Sequence, residues 1–130
     1  MANVEVEEFA KVLVREVRDA AIKACDRALD EDAQSPVARR WRRARAPECR
    51  DLAKLMIADC VDQTLARLMD AIDQEVLQIS FRTASGTVVD LSRAGLGELC
   101  GWYMGGDGGW RTLYSTERYS DDLAENESGL

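Results

Sequence analysis

Phe9, Leu13, Val17, Ala20, Ala24 and Ala28 recur at steps of three and four residues. That is the period of one helix face, and it predicts a long helix over Val4–Asp32. Asn3 stands where an N-cap is expected, and Glu5, Glu7 and Glu8 occupy the first turns, where the helix dipole favours acids. The stripe passes from large residues to Ala, which would let another helix approach closely. Ser35 and Pro36 then have the order of a cap and a first helical residue, so a short second helix is expected through Ala44. Pro47 opens a second long helix, about 47–76, in which Ile57, Val61, Leu65, Leu68 and Ile72 share one apolar arc. Met69 and Val76 extend that arc. Asp59, Asp62, Asp70 and Asp73 form a separate stripe, centred roughly 120° from it at about 100° per residue. Leu52 and Leu55 fall on the Asp side, which predicts cover for that face in the first two turns.

The period changes after the second long helix. Leu77, Ile79 and Phe81 alternate with Gln78, Ser80 and Arg82, as a half-buried strand requires. Residues 83–86 read as a turn and Thr87–Leu91 as a second strand, giving an antiparallel hairpin that must lean on the helices. Ser92 is the expected cap of a third helix carrying Leu96, Leu99, Cys100, Tyr103 and Met104. Gly105 and Gly106 are expected to close it through a left-handed C-cap. Trp110, Leu113 and Tyr114 follow as anchors, and Ser115 would cap a last short helix with Tyr119 and Leu123. The expected fold class is mainly α (α+β): two long antiparallel helices, a short basic helix, and a C-terminal β-hairpin plus a short Gly/aromatic-rich helix. Residues 1–123 read as a single globular domain and 124–130 as a flexible acidic tail.

Composition narrows the chemistry. The 130 residues contain no His, which removes the usual general base, Ser-His and Cys-His nucleophile pairs and most metal sites. Cys25, Cys49, Cys60 and Cys100 are irregularly spaced with no CxxC, and the N-terminal stretch has neither a basic nor an apolar leader pattern. Reduced thiols and a cytoplasmic protein are the expectation. No run of apolar residues reaches the roughly 18 needed to span a membrane. The net charge is −7, yet residues 35–50 carry six Arg against one Glu. The chain is thus acidic with one basic insert, which favours a basic protein partner over nucleic acid.

Three stretches could carry function. The two Asp-x-x-Asp pairs at Asp59/Asp62 and Asp70/Asp73 have the oxygen ligands a Mg²⁺ ion needs, although no matching carboxylate pair comes from the first helix. A Mg-dependent helical phosphohydrolase is therefore the alternative reading. Arg39–Arg45, five Arg around Trp41, could grip phosphate or pair with neighbouring acids. The Gly-rich turn 105–109 lacks the Lys-Ser/Thr of a phosphate loop. Around it, Trp102 lies one position off the apolar stripe, so Trp102, Trp110 and Arg111 are the expected exposed edge, of the residue types that dominate interfaces. These observations favour a small acidic protein-binding module without a cofactor, with a toxin-neutralising immunity-type inhibitor as its most concrete form. Contact is expected through Trp102, Trp110, Arg111 and the four Asp. A homodimer through the Trp edge is a related expectation.

Overall fold

The computed structural model describes residues 3–44 and 46–121. Arg45, Leu123 and the acidic tail 124–130 lie outside the described residues. The first long helix runs as α1 (Val4–Val12), a π-helical turn (Leu13–Arg18) and α2 (Asp19–Ala28). Asn3 caps it: its side chain accepts from the Val6 N–H at 3.0 Å. The π turn is closed by the Asp19 N–H donating to the Val14 carbonyl. Its extra residue rotates everything beyond it. The buried residues are therefore Val6, Ala10, Leu13, Val14, Arg18, Asp19, Ile22, Ala28 and Leu29; of the expected stripe Leu13 and Ala28 are buried, while Val17, Ala20 and Ala24 are exposed.

Helix α3 (Pro36–Ala44) begins as expected, with the Ser35 hydroxyl accepting from Ala38 N–H at 3.1 Å. Its arginines tie down the linker that joins it to the first helix. Arg42 donates to the Ala33 carbonyl at 2.6 Å and Arg39 to the Gln34 carbonyl, while Arg50, beyond α3, donates to the Leu29 carbonyl at 2.9 Å at the end of the first helix. The Arg50 contact suits a helical C-terminal carbonyl, which carries the negative end of the dipole. A 3₁₀ turn (Pro47–Cys49) leads into α4 (Arg50–Asp73). Arg50 adjoins Leu29, and Arg18 adjoins Asp62 further along, so the two long helices run antiparallel. The buried side of α4 is Ala58, Asp62, Leu65, Met69 and Ile72. Leu52 and Leu55, expected to be covered, are exposed. An open apolar depression of about 260 Å³, lined by Val17, Ala21, Cys60, Val61, Thr64 and Leu65, lies between α2 and α4.

Strands β1 (Ser80–Arg82) and β2 (Val88–Asp90) form the hairpin, with Phe81 opposite Val89. Both are half-buried and pack on the core. The expected third helix is broken in two. Asp90, not Ser92, caps α5 (Leu91–Ala94) by accepting from Ser92 N–H. The chain then turns through left-handed Leu96 and Gly97 before α6 (Leu99–Met104). Gly105 leaves α6 in an extended rather than a left-handed conformation. What this turn requires is close approach: a Cβ on Gly109 would lie 2.0 Å from the Gly105 carbonyl oxygen. Residues Trp110–Tyr114 form α7. Ser115 starts no helix; residues 115–121 cross the long helices as an irregular strap. The core joins Val6, Ala10 and Leu13 of the first helix to Leu65, Met69 and Ile72 of α4, and to Leu91, Leu99, Tyr103 and Trp110. No helix among the described residues is long and apolar enough to cross a membrane.

Candidate functional site

Arg18 is brought inward by the π turn, opposite Asp62 of α4. Its Nε donates to Asp62 Oδ1 at 2.7 Å and its Nη2 to Asp62 Oδ2 at 3.1 Å. The remaining donors reach Asp19 Oδ1 at 2.8 Å, Ser115 Oγ at 3.0 Å and the Arg118 carbonyl at 2.6 Å. All five guanidinium N–H groups are thus used. Asp62 is 3% exposed. It also accepts from the Tyr103 hydroxyl at 2.7 Å and from Arg111 Nη1 at 2.8 Å, so four donors fill its two oxygens. Burial opposes ionisation of Asp62. The hydrogen bonds from Arg18, Tyr103 and Arg111 outweigh it and hold the carboxyl below the usual carboxylate range. Burial, then the bond to Asp62, raises the Tyr103 phenol.

The strap completes the cluster. Ser115 Oγ donates to Asp19 Oδ1 at 2.8 Å, and Thr116 N–H to Asp19 Oδ2 at 3.0 Å. Arg118 grips Asp26 of α2 through two bonds of 2.8 and 2.9 Å and donates to the Lys54 carbonyl of α4. The Arg111 guanidinium stacks 4.4 Å from the Tyr119 ring centre. Two buried guanidiniums, Arg18 and Arg111, face two buried carboxylates, Asp19 and Asp62, so the interior charges cancel. Chemically this arrangement fixes geometry. Asp62 has no lone pair left to take a proton from a substrate or to hold a metal.

The expected Asp stripe therefore does not exist as a surface. Asp62 is interior because the π turn and α4 place it against Arg18. Asp73 accepts from the Leu99 and Cys100 N–H groups, both at 2.9 Å, and so caps α6 from outside. Asp70 accepts from Gln74, and Asp59 is exposed. Among the described residues no three His, Cys, Asp or Glu converge as a metal site. The expected aromatic edge also divides. Trp110, 6% exposed, and Arg111, 2% exposed, are interior, because α7 turns both toward the core. Trp102 stays half-buried at the surface, 6.3 Å from Trp110 between ring centres.

Arg18, Asp19, Ser115 and Arg118 were not expected at a site. One signal was available: Val6, Ala10, Val14, Arg18 and Ile22 follow one another at steps of four, so a charge interrupts an apolar row. Outside the network, a cleft of about 160 Å³ opens beside Trp102. Glu7 and Val6 of α1, Gly108 of the turn, and Trp110, Leu113 and Tyr114 of α7 form its other walls. Glu7 lies beside Tyr114: burial, then the Glu7 charge, raises the Tyr114 phenol. Lys11 and Arg15 each lie 5.7 Å from the Tyr114 ring centre. Comparison with protein-family models, curated proteins and solved structures finds no match to this chain.

Proposed function

We propose that this is a non-catalytic, cytoplasmic binding module for a basic protein partner, with a toxin-neutralising immunity-type inhibitor as its most concrete form. One observation carries the reading. The ionic groups best placed for chemistry are tied up inside the fold: Asp62 is filled by donors from Arg18, Tyr103 and Arg111, and Arg18 has every donor paired. What is left for the surface is acidic charge together with Trp102 at the cleft, Leu113, which is 55% exposed, and Asp59. A net charge of −7 supports steering of a basic partner toward such a surface. The test is affinity capture on the full-length protein, followed by titration of the identified partner at rising salt. A partner with a basic contact face, whose association slows as salt rises, is expected. An acidic partner, a salt-insensitive complex, or Mg²⁺-dependent hydrolysis of a phosphate ester by the protein alone would overturn the reading.

A further inference from the structure

We infer that the cleft beside Trp102 receives one arginine side chain of the partner. The inference rests on the reading above and names the chemistry of the contact. The cleft's roughly 160 Å³ is well under the ~300–1,000 Å³ of pockets that enclose a free small ligand, so its size suits a single side chain. Its chemistry suits a cation. Half-buried Trp102 stands in its wall, with the interior Trp110 ring 6.3 Å away and tilted by 45°, and indole is the strongest cation–π partner among side chains. Glu7 stands in the same wall. Among the described residues no ammonium or guanidinium pairs with its carboxylate. Lys11 and Arg15 already cover Tyr114, so the Trp102 indole and Glu7 are the groups left for an incoming charge. A planar guanidinium can stack on an indole and donate a fork of two hydrogen bonds to Glu7, which an ammonium cannot. The fold repeats this chemistry internally, where Arg111 lies against both Tyr119 and Tyr103.

The three Trp give a direct readout, because Trp41 sits in a separate depression with Met56 and Ile57 and serves as an internal control. The indole N–H resonances are followed by NMR as a hexa-arginine peptide is added, with a hexa-citrulline peptide as the neutral isostere. Shifts at Trp102 and Trp110, a still Trp41 and no response to citrulline are expected. Glu7→Gln should weaken the arginine peptide about tenfold. Gly108→Leu should abolish its binding while leaving the fold intact, because a Cβ there meets nothing within 4 Å. Shifts centred on Trp41, an equal response to citrulline, or peptide binding unchanged in both variants would overturn the inference. A captured basic partner that binds Gly108→Leu as tightly as the unaltered protein would overturn the arginine cleft and leave the binding-module reading standing. Loss of any basic partner with the cleft still answering the peptide would do the reverse.

Discussion

Asp62 gathers donors from three distant parts of the chain: Arg18, Tyr103 and Arg111. Its folded pKa lies below that of the unfolded chain, about 3.9. The stability it contributes is thus fully present above that value and lost as pH falls through the folded pKa. Asp26 has the same sign, since the Arg118 hydrogen bonds lower it against the cost of burial. Urea unfolding from pH 6 to pH 3 should give a plateau followed by a decline below about pH 4; stability unchanged down to pH 3 would contradict these shifts. Tyr103→Phe removes one donor from a buried carboxylate and should cost about 1–3 kcal/mol in the same assay. This network was half legible in the sequence. Asp62 and Arg111 were candidates for contact, but as surface groups. Burial depends on which side of a helix meets which neighbour, and an Asp at the border between the apolar arc and the acidic stripe can fall either way.

At the scale of elements, the helices, their order and the hairpin followed from periodicity, caps and prolines. The errors have physical causes. The π turn adds about one residue to the helical count, so a stripe counted at a fixed period fits Leu13 and then leaves the core at Val17. The expected third helix broke at Leu96–Gly97, where two successive residues take positive φ. Leu rarely adopts that conformation, and its spacing with Leu99 and Tyr103 gave no warning of it. In the Gly-rich turn, glycine is needed for approach at one position and not at its neighbour. Gly109→Ala should destabilise on the order of 3 kcal/mol, because its Cβ meets backbone. Gly108→Ala should stay within about 0.5 kcal/mol in thermal melting. Equal effects would mean that Gly105 and Gly109 do not pack as described. The strap is a third case, since nothing periodic marks residues 115–121. Arg118 ties it to Asp26 of α2 and to α4, beyond the Ser115 and Thr116 bonds to Asp19 at the other end of the strap. Arg118→Ala should therefore speed hydrogen exchange at the Thr116 amide while leaving the Met69 and Ile72 amides protected.

Across the whole molecule, charge is sorted by location. Inside, Arg18 and Arg111 are balanced by Asp19 and Asp62. Outside, the basic α3 uses Arg39 and Arg42 to hold the linker from the preceding helix, and the acidic excess is left for the surface. The net charge and the separation of α3 were readable from the sequence. The pairing of Arg18 with Asp62 was not, because a residue list does not show which acid a buried base will meet. This sorting is the central claim, and Asp59 and Asp62 test it directly. They lie three residues apart on one helix and read as members of one acidic stripe in the sequence, yet one faces solvent and the other is 3% exposed. The decisive measurement is the unfolding free energy of Asp59→Asn and Asp62→Asn beside the unaltered protein at neutral pH. Asp62→Asn should lose about 3–5 kcal/mol, because two buried guanidiniums are left without their shared counter-charge, and Asp59→Asn should change by no more than about 0.5 kcal/mol. Equal losses, or a larger loss at Asp59, would contradict the buried network on which the account stands.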